Sequence, residues 1–411
     1  MRRYLPLLSV LLLALIGLGF VLLRDQEAGT EPALPVEPSH PIPSIPLGPS
    51  LSNLASPPDW GSLEIYQNTL STKKFEELLR TVYALPHSWE EKITLNSSSV
   101  AIQQSYNPEE QYLLQTQEEL SDELAPLPPL DQIHIAIDPG HIGGDFAELE
   151  QRSFDPTPED PTDIPVREGD LSLATAKLLK SLLEEMGAQV SLVRETAEPV
   201  TEARPENFLA DFGDRNLANK IFYRTAEIRA RADLVNHTIQ PDLILCLHYN
   251  AEAWNDPSDP WSPENHFHII LNGAYMPQEV KNDDQRFEMV RNLLSRSTER
   301  ALPLAQTISD VFLRETDLIP FNYSPSAPAL LLDPVRPIWA RNLLANRLYE
   351  APTIFMEPYI MNNREVHHRV QLGDYEGLQD IDGEEKPSLI REYAETLAQA
   401  IAEYYENRVD E

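Results

Sequence analysis

From residue 133 onward, short unbroken apolar runs alternate with stretches in which apolar residues recur every three or four positions. Residues 133–137 read as a strand that runs into Asp138-Pro139-Gly140-His141. Leu171, Ala174, Leu178, Leu182 and Met186 follow helical spacing, and Gly187 stops that helix. Residues 190–193 make a second strand, and residues 243–247 a buried strand ending at His248. Leu304, Ile308 and Phe312 mark a further helix, residues 353–356 a strand ending at Glu357, and Leu389, Tyr393, Leu397, Ile401 and Tyr404 a closing helix. Strands alternating with helices predict a three-layer α/β/α fold over residues 130–411, its central sheet mostly parallel or mixed.

The pattern ahead of residue 130 differs. Arg2 and Arg3 precede an apolar run over residues 5–23, which nearly spans a bilayer core of about 30 Å. The arginines fit the positive-inside rule, so residues 1–24 read as a membrane anchor or, alternatively, a cleaved signal peptide. Either way the body is exported, facing the periplasm or cell wall if anchored and secreted if the segment is cleaved. Residues 25–60 hold nine prolines and no apolar period, as in an extended tether. Residues 61–129 form a mixed extension: Phe75, Leu78, Leu79 and Val82 suggest a helix, and residues 93–95 and 100–102 short strands.

Charge narrows the function. The chain has 411 residues, 32 Lys and Arg against 66 Asp and Glu, and a net charge of −34. Beyond residue 24 the balance is 29 against 66, a net of −37. Such a body repels nucleic acid, and a membrane can be engaged only through the N-terminal segment. With Cys246 as the single cysteine, neither a disulfide framework nor a CxxC zinc knuckle can form.

Chemistry collects where strands end. His141, His248 and Glu357 each follow a strand, and Glu168 opens the helix of Leu171 and Leu178. In α/β sheets, ligands bind beyond the carboxyl ends of strands. Two histidines and Glu168 suit a three-ligand zinc with an open position for water, leaving Glu357 to exchange protons with that water. Asp138 and Asn250 are expected to orient the histidines. Each residue also has a plainer role. A histidine after a strand is commonly a hydrogen-bonded loop residue, and Glu168 would suit the positive end of a helix. His266 with His268, and His367 with His368, are the alternative metal sites, whereas Cys246 fits a core position.

These residues lie in longer motifs. Ile135-Ala136-Ile137-Asp138-Pro139-Gly140-His141 and the Gly143-Gly144-Asp145 that follows resemble the opening motif of the zinc-dependent N-acetylmuramoyl-L-alanine amidases, the type 3 amidase family. Arg167-Glu168-Gly169-Asp170-Leu171, the helix containing Arg231 and Asn236, Leu245-Cys246-Leu247-His248-Tyr249-Asn250, and Met356-Glu357-Pro358 are similar to the family's later motifs, in the family's order. The resemblance covers about residues 133–405. It implies one zinc per chain held by His141, Glu168 and His248, with Glu357 as general base and acid. It further implies peptidoglycan as substrate, cut between N-acetylmuramic acid and L-alanine, with Asp138, Asn250 and Arg231 around the site or substrate. An inactive wall-binding protein on the same scaffold and a zinc peptidase cutting within the stem are the alternatives.

The chain departs from the family in three places. His141 and Glu168 stand 27 positions apart, with an acidic, Pro-rich stretch between them. A second insertion lies between Glu195 and Arg229, and Tyr249 replaces a small residue. Some family members carry a helix that blocks the zinc cleft until an activator protein removes it. The interval 279–300 offers Phe287, Val290, Leu293 and Leu294 at helical spacing, with Glu279, Asp283 and Asp284 as acidic candidates to reach the metal. The simpler expectation is a helix burying that stripe against the body.

Overall fold

The computed structural model describes residues 54–105, 107–118, 124, 126–160, 162–253 and 259–409. The apolar run at residues 5–23 and the tether up to residue 53 lie outside these residues. Among the described residues no helix is long and apolar enough to cross a membrane.

The extension folds as α1 (Thr72–Leu78), continued by a π-helical turn at Leu79–Tyr83, and an antiparallel sheet of β1 (Ile93–Leu95), β2 (Ser99–Gln103) and β3 (Gln111–Gln115). Ser71 starts α1 by accepting from the Lys74 N–H at 3.0 Å, which satisfies a first-turn donor. Burial along β3 alternates strictly, the mark of a strand covered on one face.

The principal sheet contains β4 (His134–Pro139), β5 (Gln189–Leu192), β6 (Leu243–Leu247), β7 (His266–Leu271), β8 (Ile338–Ala340) and β9 (Thr353–Pro358). Its helices are α2 (Glu168–Glu185), α3 (Glu227–Asp233), α4 (Asp283–Leu294), α5 (Ser297–Glu315) and α6 (Leu389–Val409). Across the sheet the order runs Leu330–Leu331, β8, β7, β9, β6, β4, β5, with Ile319–Pro320 also pairing with β7. β5, β4, β6 and β9 are parallel, and β7 runs antiparallel to β9. The sheet is therefore mixed. Its two faces follow from alternation: Ile135, Ile137, Leu245, Leu247, Ile354 and Met356 belong to the core beneath α2, α5 and α6, whereas Ala136, Ile244, Cys246 and Phe355 pack with the α3 side. Cys246 is a fully buried core residue.

On α2 the buried stripe lies one or two positions beyond the one read from spacing. Leu173, Ala176, Leu179 and Leu183 are the buried line, Leu171, Leu178 and Leu182 sit on its flank, and Met186 is exposed. The helix touches both the sheet and α6, so it is apolar over more than one face and spacing alone does not select the inner one.

The described residues fall within one compact unit, Leu47–Glu411, and the extension is bound tightly into it. Phe75, Leu78, Leu79, Tyr83, Val100, Ile102 and Leu114 share an apolar cluster with Tyr275, Val280, Met289, Val290, Leu293 and Leu294. Buried Arg286 on α4 donates its Nε hydrogen to the Gln103 carbonyl at 2.7 Å. Trp60 is part of the same cluster, so ordered packing begins ahead of residue 61. Burying a large apolar side chain contributes about 1.5–3 kcal/mol. Exposing several at once approaches the whole net stability of a domain, about 5–15 kcal/mol. A fragment of residues 130–411 is therefore expected to aggregate or lose its cooperative melt, whereas the chain from residue 54 stays soluble. Size-exclusion chromatography with thermal denaturation checks this.

Candidate active site

Three strand ends and one helix start converge on a cleft of about 540 Å³. At the end of β4, the Gly140 N–H donates to the Leu247 carbonyl at 2.8 Å. A Cβ on Gly140 would lie 2.5 Å from the His248 ring, so only glycine lets the two loops touch. His141 follows with φ 58°, a conformation costly for a residue with a Cβ. Arg231 holds it there, its Nη2 donating to the His141 carbonyl at 2.6 Å.

Glu168 is the first residue of α2. The long spacing from His141 is taken up by the short helix Phe146–Leu149 and by a hairpin of Ser153–Phe154 with Val166–Arg167. The Glu168 N–H bonds the Arg152 carbonyl at 3.1 Å, which fixes the helix start. Gly143 and Gly169 meet at the crossing, where a Cβ on Gly169 would stand 2.3 Å from the Gly143 nitrogen. The second insertion also serves this loop. Phe208, Ala218, Phe222 and Tyr223 form an apolar cluster with Ile142, directly after His141.

The carboxylate of Glu168 bridges the two histidines. Its Oε2 lies 3.2 Å from His141 Nε2 and its Oε1 lies 2.9 Å from His248 Nδ1. One ligand atom from each of the three residues falls within 4.8 Å of the others, and among the described residues they form the one such group of His, Cys, Asp or Glu. Burial would push the Glu168 carboxyl up, but the His141 ring and the His248 hydrogen bond outweigh it and hold it at about 2. The site keeps an anion between two imidazoles, which is the charge arrangement a divalent cation requires.

Glu357 enters the same cleft from β9. Burial pushes its carboxyl up against the pull of His248, and Glu168 adds to the rise. Phe355, two residues earlier on the same face, stacks on the His248 ring with centroids 5.4 Å apart.

Asp138 and Asn250 do not orient the histidines by contact with their rings. Asp138 accepts from Arg231 Nη1 at 2.8 Å and from the Tyr349 hydroxyl, and Arg231 also pairs with Glu227 at 2.7 Å. This buried network reaches His141 only through its backbone carbonyl. Asn250 lines the cleft, but its side-chain oxygen accepts from the Ala251 N–H at 2.8 Å, a local turn contact. The carboxylate paired with the outer nitrogen of His141 is Glu150, 3.7 Å from Nδ1, which also accepts from the Ile142 N–H at 2.9 Å. Glu150 and Arg152 fall in the acidic, Pro-rich insertion, where composition gave no sign of them.

The alternative histidines do not assemble a metal site. His266 bonds Glu252 at 2.8 Å and His268 bonds the Tyr323 hydroxyl at 3.0 Å. His367 is buried beside Asp163 and Trp261, whereas His368 is exposed. The alternative of a gate helix does not apply at this cleft, and the simpler expectation of a helix burying its stripe holds. None of Glu279, Asp283 and Asp284 lines the cleft. Glu279 accepts from the Met276 N–H, Asp283 pairs with Arg286, and the apolar stripe of α4 is covered by the extension.

A helix-covered mixed sheet with a His–Glu–His group that could hold a metal ion, and a further half-buried carboxylate at its strand ends, has the makings of a hydrolase site of the α/β class. The chain belongs to the N-acetylmuramoyl-L-alanine amidase family, whose model (Amidase_3) matches residues 135–378 and so spans all four of these residues. It is an enzyme of that class. Similar solved structures include the apo form of the amidase Ami1 from Mycobacterium abscessus, 16% identical over 66% of this chain and 98% of that one, with a TM-score of 0.38. The CwlD amidase from Clostridioides difficile, solved in complex with the GerS lipoprotein, is 14% identical over 67% of this chain and 99% of that one, TM-score 0.38. AmiC2 of Nostoc punctiforme is 17% identical over 68% and 98%, TM-score 0.36. Among curated protein sequences none matches this chain.

Proposed function

We propose that this amidase is zinc-dependent and hydrolyses the amide between the lactyl group of N-acetylmuramic acid and the L-alanine of the peptidoglycan stem. The observation that carries the reading is the convergence of His141, Glu168 and His248 within 4.8 Å beside Glu357 in one cleft. Two imidazoles and a carboxylate fit zinc and leave a position for water. The chemistry supplied by a bound zinc is polarisation of the scissile carbonyl and a water acidic enough to attack near neutral pH.

The chain's own residues do the remainder. Glu357 accepts the proton of the attacking water and delivers it to the departing alanine nitrogen. A carboxyl whose proton affinity is raised by burial is suited to hold that proton between the two steps. Glu150 and the Arg231 network keep His141 in place. Export belongs to the same reading, with residues 1–24 as anchor or as a cleaved leader.

The test is mass spectrometry of muropeptides digested by the full chain supplied with zinc. Free L-alanine amino termini on intact stems are expected. Cuts inside the stem would point to a peptidase instead. No product from metal-loaded protein would point to an inactive wall-binding protein on this scaffold.

A further inference from the structure

The floor of the cleft is a stripe of alternate residues on two antiparallel strands. Glu357 lies opposite His268, and Phe355 lies opposite Ile270. The stripe runs from the Glu357 end across two apolar side chains, a step of about 7 Å per pair along the strand. Beyond it on the cleft wall stands Arg341, which follows β8 and whose backbone N–H bonds the Leu271 carbonyl at 2.9 Å.

Arg341 is half-buried, and among the described residues no carboxylate pairs with its guanidinium. Arg152, the other arginine of the cleft, lies 3.6 Å from Glu168. Arg341 instead donates from Nη1 to the Tyr323 hydroxyl at 3.1 Å, with its guanidinium 5.3 Å from the Tyr323 ring centre. The relay has one direction. A guanidinium can only donate, so the phenol oxygen accepts and its own proton goes to His268 Nε2, 3.0 Å away. Burial, helped by the His266 and Arg341 charges, holds the His268 ring down at about 3, so this nitrogen is an acceptor at neutral pH. One of the five guanidinium hydrogens is used, and the fork remains available to an anion.

We propose that Arg341 is a specificity-determining residue that binds the first free carboxylate of the stem peptide beyond the scissile amide, with Tyr323 and His268 as positioning residues. The inference rests on the amidase reading. The lactyl carboxyl of N-acetylmuramic acid is consumed in the amide and the sugar carries no other anion, so the first negative charge belongs to the stem. In a stem whose second residue is a γ-linked D-glutamate, that charge is its α-carboxylate. Amidation to isoglutamine removes it. The planar fork of arginine matches a carboxylate in a bidentate contact.

The test is steady-state kinetics of the full chain on two muramyl dipeptides whose γ-carboxyl is blocked as an amide and which differ only in the α-group, acid or amide, for wild type, Arg341→Gln, Arg341→Lys and Tyr323→Phe. Wild type is expected to favour the acid by about tenfold to a hundredfold in kcat/KM, carried by KM. Arg341→Gln should lose at least tenfold more on the acid than on the amide, Arg341→Lys should keep part of the preference, and Tyr323→Phe should raise KM severalfold for the acid alone. Calorimetric binding of the L-Ala-D-Glu dipeptide with its γ-carboxyl amidated gives a readout independent of turnover. Equal cleavage of both substrates by wild type, or a preference that survives in Arg341→Gln, overturns the proposal and leaves the amidase reading intact. If wild type cuts neither substrate yet binds the acid dipeptide through Arg341, the anchor stands and the amidase reading falls. If it cuts neither and Arg341→Gln binds the dipeptide as wild type does, both fall.

Discussion

Glu357→Gln is expected to lower kcat by about a thousandfold while leaving bound zinc at one per chain. The amide keeps the size of the side chain and its place opposite His268, so the cleft is not reshaped. What is lost is the ability to take a proton from water and return it to nitrogen, a contribution worth about 10²–10⁴ in rate. Elemental analysis and single-turnover kinetics on one muramyl peptide check the two halves separately. An active Glu357→Gln enzyme would show that another group handles the proton.

Glu168→Gln is expected to fail in the opposite order, losing metal first and turnover as a consequence. Its carboxylate lies 2.9–3.2 Å from both histidines and is the one anion placed between them. An amide of the same shape brings a neutral group and N–H donors to a position that needs a negative charge. Metal that binds only the folded state stabilises it by about 4 kcal/mol when present at a thousand times its Kd. Adding a chelator should therefore lower the melting temperature of wild type and of Glu357→Gln by several degrees, and leave that of Glu168→Gln unmoved. A chelator response in Glu168→Gln equal to that of wild type would remove Glu168 from the ligand set.

The parts of this site that could be read in advance share a property. His141, His248 and Glu357 each follow a buried apolar run, so strand ends could be located from hydrophobicity alone, and motif order then joined them to Glu168. Arg341 and Tyr323 could not be found that way. They follow segments of three and two residues, Ile338–Ala340 and Ile319–Pro320, too short to show a period. The antiparallel course of β7 beside β9 was hidden for a related reason. A fully buried strand has no polar alternation to mark its direction or neighbours. Glu150 and Arg152 lay in a stretch whose composition resembled solvated insertion, although Glu150 is buried against the His141 loop. The stripe on α4 was legible as something to be covered. What covers it was not, because its partner lies some two hundred positions earlier.

That distance shapes how the protein is made. The Tyr83 hydroxyl donates to the Asn292 carbonyl at 2.7 Å, joining residues separated by 209 positions. During synthesis the extension emerges early, yet its apolar cluster stays incomplete until residue 294 has been added. Contacts of such long sequence separation form late and slowly, since the intervening chain must first give up its freedom. Through a large part of translation the extension is thus a half-built core, exposed to proteases and to its own copies.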